Sequence, residues 1–202
     1  FLKRKSKKNY GSSILSDFIK LEGINMDRNL SLWSKNNNVP IIFVDDLNSI
    51  KAYNFLNKSQ FDCVVYSGGG ILKKTFLDFS KFVINAHAGP LPDVRGMNAA
   101  EWSYLQNKRS AITIHFIDSG IDTGEVIEIF DFDRRICQNV IQLRELAVLK
   151  GIRSLVNVLP NIELSKFKGE KIYQDNLQRQ YYKMSPVLLG KLEAKIKNEK
   201  NF

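Results

Sequence analysis

Short apolar, β-branched runs alternate along this chain with stretches whose apolar positions recur at helical spacing, the pattern of parallel βα units. The alternation predicts strands at 39–44 (VPIIFV), 61–66 (FDCVVY) and 81–87 (KFVINAH). An amphipathic helix over 48–58 separates the first two, and a short one over 72–79 the second and third. Another helix is expected at 98–107, where Ala99, Ala100, Trp102, Ser103 and Leu105 follow one another without a breaker. Residues 111–117 (AITIHFI) are β-branched and 124–131 (GEVIEIFD) alternate cleanly, so two further strands follow. A long helix is predicted over 138–158, with Ile141, Leu143, Leu146, Ala147, Leu149 and Ile152 on one side and Pro160 as its limit. Residues 11–36 read as helical or irregular, with Ile14, Leu15, Phe18 and Ile19 at helical spacing. After 160 the chain is polar, with a strand-like KIYQD and a charged helix from about Ser185. There is no internal repeat. The fold class this implies is α/β: an open, mostly parallel, Rossmann-like sheet over residues 1–160 and a short extension over 161–202. Such sheets bind their ligands at the carboxyl ends of the strands.

Composition narrows the class. A chain of 202 residues with 44% hydrophobic and 25% charged positions can bury a sizeable core, which excludes low-complexity disorder for most of its length. The longest apolar stretch runs only from Val39 to Val44 and includes a proline, far short of the roughly 18–20 residues of a membrane-spanning helix. The basic start is not followed by an apolar signal region, and it begins with Phe1 rather than Met, as a piece of a longer product would. Cys63 and Cys137 form no disulfide framework and lack metal-ligand spacing, which suits a reducing, cytoplasmic compartment. The net charge of +9 sits at the ends: residues 1–10 hold five basic residues and no acid, and residues 161–202 hold nine basic and five acidic residues. The stretch between them is neutral. A surface built to grip a phosphate backbone spreads its basic residues over the working face, so neither a nucleic-acid partner nor a membrane is expected.

Candidate chemistry falls at strand ends. Ser67-Gly68-Gly69-Gly70 follows the strand at 61–66 and lets a flat ligand or another backbone come close, although a plain turn would read the same way. In Asn85-Ala86-His87, alternation puts an amide donor and an imidazole on one face of the strand at its ligand end. An asparagine NH2 can stabilise an oxyanion and a histidine can manage a proton near neutrality; the bland reading is a satisfied structural histidine. The loop Asp118-Ser119-Gly120-Ile121-Asp122-Thr123-Gly124 offers two carboxylates that could orient an imidazole or hold a metal. No further ligand has useful spacing, so no metal is expected.

The run NAHAGPLPDVRG, 85–96, followed by TIHFIDSGIDTG, 113–124, resembles the folate-dependent formyltransferase family. That family pairs an Asn-x-His strand end and a Leu-Pro…Gly loop with a strand and an Asp-x-Gly loop; the matching positions are Asn85, His87, Leu91, Pro92, Gly96, Asp122 and Gly124. The resemblance covers roughly 61–132 and is weaker over 39–60. It implies a formyltransferase-type sheet and transfer of a formyl group from 10-formyltetrahydrofolate, as co-substrate, to a primary amine. Asn85 would stabilise the tetrahedral oxyanion, His87 would take or relay the amine proton, and Asp122 would orient His87. Ile71, Leu72, Leu77 and Val83 would wall the pterin pocket, with Ser119, Gly120 and Ile121 offering backbone groups to the ring edge; for Ile71, Leu72 and Val83, ordinary core packing is the alternative. His115 reads as a supporting residue. The family's leading strand and glycine-containing loop have no counterpart before Tyr10, where Gly11-Ser12-Ser13 is only a faint echo.

Within the family, the amine of an amino-sugar nucleotide is the first expectation for the acceptor. A tRNA acceptor is read as excluded, because tRNA-directed members carry a second β-rich domain and only about forty residues follow the long helix here. Glycinamide ribonucleotide is the runner-up, and hydrolysis of the formyl-folate would use the same Asn, His and Asp. The rival of another class is a catalytically silent folate- or nucleotide-binding module or fragment. A homodimer is compatible with all of these.

Overall fold

The computed structural model describes residues 2–4, 30–68, 70–79, 82–166 and 179–199. The predicted helical stretch before residue 30, the echo at 11–13 and the strand-like KIYQD lie outside them. The chain divides into two compact units, one comprising Phe1–Asp62 and Gly68–Lys81, the other Cys63–Ser67 and Phe82–Phe202.

In the first unit, β1 (Leu2–Arg4) runs parallel to β2 (Ile42–Val44). A strand therefore precedes Tyr10, where no apolar run announces one: three residues need only backbone pairing. Helix α1 (Leu30–Asn36) precedes β2 and α2 (Ile50–Lys58) follows it. Ser49 caps α2 by accepting from the Ala52 N–H, so the predicted start at 48 moves two residues along. Asn48 pins the segment before α3 (Lys74–Phe79): its Nδ2 donates to the Ile71 carbonyl and its Oδ1 accepts from the Lys73 N–H, at 3.0 and 2.7 Å. Val44, Leu47, Ala52, Leu56, Leu72 and Phe76 are the buried apolar residues of this unit.

The second unit carries a four-stranded sheet ordered β3-β4-β6-β7, made of β3 (Val64–Tyr66), β4 (Val83–His87), β6 (Ala111–Phe116) and β7 (Val126–Asp131). β3 and β4 pair in parallel, whereas β4–β6 and β6–β7 are antiparallel. A two-residue strand, β5 (Arg95–Gly96), precedes α4 (Ala99–Leu105) and pairs in parallel with β8 (Gln180–Tyr181) from the far end of the chain. Among the described residues three of the five pairings are thus parallel.

Helix α5 (Val140–Val158) lies on β4 and β6, and Gly151 permits the approach, since a Cβ there would touch the Ala86 Cβ at 3.4 Å. α5 corrects one sequence expectation. Leu143, Leu146 and Ala147 are buried, but Ile141 and Ile152 are more than half exposed, together with Val148 and Val156. Positions 141 and 152 are about three turns apart and share a face, but that face is turned from the sheet. α6 (Pro186–Asn198) begins at the Ser185 cap, as the sequence predicts, and buries Leu192 and Ile196 while packing on α4 and α5.

Candidate active site

Antiparallel pairing places Asn85 opposite His115 and His87 opposite Thr113. Directly opposed residues share a face of the sheet, so four polar side chains gather on one side of β4 and β6. The other face carries Ile84, Ile112 and Ile114, all buried. All six residues of β6 are buried, so both of its faces are covered, the apolar one and the one carrying Thr113 and His115.

His87 is 6% exposed, and its Nε2 lies 2.7 Å from the Val94 carbonyl oxygen. A carbonyl can only accept, so Nε2 carries the hydrogen and donates it. Nδ1 then faces Asp122, 3.4 Å from Oδ2. His115, on the neighbouring strand, has the opposite arrangement. Its Nδ1 donates to the Phe116 carbonyl at 2.7 Å, leaving Nε2 as a lone pair that accepts from Asn85 Nδ2 at 3.2 Å. Burial, aided by the neighbouring His87 charge, pushes the His115 pKa down to about 4, so this ring is neutral at physiological pH. A neutral His115 thereby fixes which end of the Asn85 amide faces it.

Asp122 is held as firmly. It occupies the left-handed region at φ 52°, which Asx residues tolerate, and its Oδ2 accepts from the Gly96 N–H at 2.7 Å. Its Oδ1 lies 3.7 Å from His115 Nε2. The loop's other carboxylate, Asp118, turns into the loop itself, accepting from the Gly120 N–H and the Thr123 hydroxyl. Two glycines are required here. A Cβ on Gly124 would come within 1.9 Å of the Phe116 carbonyl oxygen, and one on Gly96, at φ 94°, within 2.1 Å of the Tyr181 carbonyl oxygen. Thr113 closes the floor, donating to the Gly89 carbonyl at 2.7 Å and accepting from the Leu91 N–H at 3.1 Å.

Asn85, His87 and Asp122, read from the sequence, therefore stand together. Val83 is 3% exposed and its carbonyl accepts from the Ile117 N–H, which is the packing alternative considered for it. Ser119 is exposed and Gly120 and Ile121 are half-buried on the same loop as Asp122. Ile71, Leu72 and Leu77 lie in the first unit, Ile71 fully open, Leu72 buried and Leu77 half-buried on α3. Gly68 and Gly70 adopt φ of 95° and 106°, so the glycine run is needed first for its backbone path. Sequence reasoning did not find the Val94 carbonyl, the Gly96 N–H or the anchoring strand β8. The only signal was Gly96 itself, whose positive φ the Leu-Pro…Gly loop implies.

A fold with this sheet and an Asn–His–Asp cluster at its strand ends is that of the folate-dependent formyltransferases. Residues 48–131, the stretch that holds Asn85, His87 and Asp122, match the model of the formyl transferase family. The methionyl-tRNA formyltransferase of Buchnera aphidicola is 30% identical over 172 residues, 82% of this chain and 54% of that protein. That of Rickettsia canadensis is 30% identical over 128 residues, 62% of this chain and 42% of that protein. The chain spans about half the length of these curated relatives or less, so the length argument against a tRNA acceptor loses its force. Among solved structures, the formyltransferase PseJ of Anoxybacillus kamchatkensis, in complex with UDP-4,6-dideoxy-4-formamido-L-AltNAc and tetrahydrofolate, superposes with a TM-score of 0.57 at 23% identity, covering 78% of this chain and 82% of that one. Phosphoribosylglycinamide formyltransferase from Streptococcus pneumoniae gives 0.52 at 23% identity, covering 65% and 78%. No helix among the described residues is long and apolar enough to cross a membrane.

Proposed function

We propose that this chain transfers the formyl group of 10-formyltetrahydrofolate to a primary amine, with an amino-sugar nucleotide as acceptor. The observation that carries the reading is the meeting of Asn85, His87 and Asp122 at one strand end, with His87 Nδ1 3.4 Å from the Asp122 carboxylate. The acceptor nitrogen attacks the formyl carbon, and the carbonyl oxygen gathers the negative charge of a tetrahedral intermediate. One amide hydrogen of Asn85 is given to His115; the other serves that oxygen, a contribution of about 2.7–4 kcal/mol for a single well-placed donor. The intermediate collapses by breaking the bond between the formyl carbon and the folate nitrogen, and the proton lost by the amine balances the one gained by that nitrogen. With Nε2–H given to the Val94 carbonyl, His87 works through Nδ1, and the proton passes along the His87–Asp122 edge. Val83 and the backbone of Ser119, Gly120 and Ile121 are assigned to the folate in this reading, and the compartment is the cytoplasm.

The amino-sugar choice is supported by solved neighbours such as PseJ, whose complex holds a UDP-sugar. A second reading, a methionyl-tRNA acceptor, has the sequence relatives in its favour. A formyl-transfer assay with 10-formyltetrahydrofolate against a panel of sugar-nucleotide amines, glycinamide ribonucleotide and charged initiator tRNA decides between them. Formylation of a sugar-nucleotide amine is the expected result. Formylation of the tRNA alone replaces the acceptor, formate release without any amine makes the chain a hydrolase, and folate binding without turnover makes it a silent module.

A further inference from the structure

Both groups that orient the His87–Asp122 pair are backbone atoms of one short stretch. The Val94 carbonyl takes the His87 Nε2–H and the Gly96 N–H holds Asp122 Oδ2. This stretch is β5 and its approach, and two residues make no strand without a partner. The partner is Tyr181, about eighty-five residues on in the chain. It pairs opposite Gly96, and its carbonyl accepts from the Met97 N–H at 2.9 Å.

The pairing is secured on its other side by the Tyr181 side chain. Its ring is buried against Val94 and Ala99 and stacks at 5.1 Å on Trp102. Its hydroxyl donates to Gln106 Oε1 at 2.8 Å and accepts from Lys108 Nζ at 3.3 Å. Trp102 Nε1 donates in turn to the Tyr182 carbonyl at 2.9 Å. Gly96 leaves no slack, since even a methyl group there would collide with the Tyr181 carbonyl.

We propose that Tyr181 is a positioning residue of the site: by pairing with β5 it sets the Val94 carbonyl and the Gly96 N–H at the distances that keep His87 in its Nε2–H form and aim Asp122 at Nδ1. The inference rests on the reading of His87 and Asp122 as the proton-handling pair. It makes β8, which follows α5 in the chain, part of the catalytic arrangement by acting through β5.

The test is made on the full chain with two readouts. Nitrogen–proton NMR of the His87 ring and the Gly96 amide reports the arrangement directly, and steady-state kinetics report its consequence. Tyr181→Ala is expected to move the Gly96 amide signal and mix the two His87 tautomers, to lower kcat at least about tenfold and to leave KM for folate within a few-fold. Tyr181→Phe, which keeps the ring and the backbone pairing, restores the wild-type tautomer and most of the rate. Should Tyr181→Ala not fold, Trp102→Phe loosens β8 at the Tyr182 carbonyl without emptying the core and is expected to shift the same signals to a smaller extent. A folded Tyr181→Ala, or failing that Trp102→Phe, with unchanged His87 and Gly96 signals overturns the proposal. A wild-type chain with no formyl transfer overturns the functional reading instead, while the NMR arm still decides the role of Tyr181.

Discussion

Replacing Asp122 by Asn separates the charge of this side chain from its shape. The amide fits the site: its oxygen can keep the Gly96 N–H that Oδ2 accepts at 2.7 Å, and its NH2 falls where Oδ1 faces the His115 Nε2 lone pair at 3.7 Å. Asparagine also tolerates the left-handed φ of 52°. Folding stability should therefore stay within about 0.5 kcal/mol of wild type, as for a substitution that leaves no partner unmet. What is lost is a negative charge 3.4 Å from His87 Nδ1. Two unit charges at that separation attract by about 5 kcal/mol at an effective dielectric of 20 and about 1 kcal/mol in bulk water. With Asp122 17% and His87 6% exposed, the site lies between these limits, and about 3 kcal/mol is a fair expectation. At 1.36 kcal/mol per decade, kcat falls by about a hundredfold. Steady-state kinetics beside urea unfolding form the assay. A folded Asp122→Asn with near-normal kcat would mean that the carboxylate serves only the Gly96 amide, and its catalytic assignment would be withdrawn.

Asn85→Ala should abolish turnover yet leave folate affinity within a few-fold, measured by fluorescence titration, because the oxygen it serves is fully charged only in the transition state; an active variant removes Asn85 from the mechanism. The depressed His115 pKa has a signed consequence for stability. Between about pH 6.5 and 4 the unfolded chain binds a proton that the folded one refuses, so stability falls as the pH drops through this window, by roughly 3 kcal/mol in all. His115→Gln, which does not titrate, should flatten that part of a urea-midpoint-versus-pH curve, and an undiminished slope would place the effect elsewhere. Gly124→Ala should cost about 2–4 kcal/mol through its collision with the Phe116 carbonyl, whereas Gly190→Ala, inside α6 with open space at its Cβ, should raise stability by about 0.5–1 kcal/mol; calorimetry on the pair separates the two.

The parts of this molecule that were legible in its sequence are those with a residue-type signature. β4 and β7 follow β-branched apolar runs, although burial along β7 does not alternate as its sequence suggests, α5 follows helical spacing, Ser185 marks a helix start, and Asn85, His87 and Asp122 are recognisable because amide, imidazole and carboxylate at strand ends are uncommon. Backbone groups have no such signature. The Val94 carbonyl and the Gly96 N–H could belong to any residue, and a two-residue strand such as β5 or β8 is too short for periodicity to register. The faces of α5 failed for another reason. Ile141 and Ile152 are as apolar as Leu143 and Leu146, and hydrophobicity alone does not tell a buried face from an apolar exposed one.

The two histidines show why such backbone contacts matter to the chemistry. His87 ends β4 and His115 lies on the neighbouring β6, so the sheet brings both rings to Asp122. Each then spends one ring nitrogen on a backbone carbonyl, but not the same one: His87 gives Nε2–H to Val94, and His115 gives Nδ1–H to Phe116. The nitrogens left over, His87 Nδ1 and His115 Nε2, both face Asp122, at 3.4 and 3.7 Å. They are nevertheless not interchangeable. His115 is 1% exposed and too costly to charge, so its lone pair serves as a fixed acceptor for Asn85. His87 has the shorter approach to the carboxylate, at the nitrogen left without a backbone partner. In the proposed mechanism, the division of labour between oxyanion support through Asn85 and proton handling through His87 follows from which carbonyl each ring meets. Moving the Val94 carbonyl, as loosening β5 from Tyr181 would, is expected to alter the rate without replacing His87, Asn85 or Asp122.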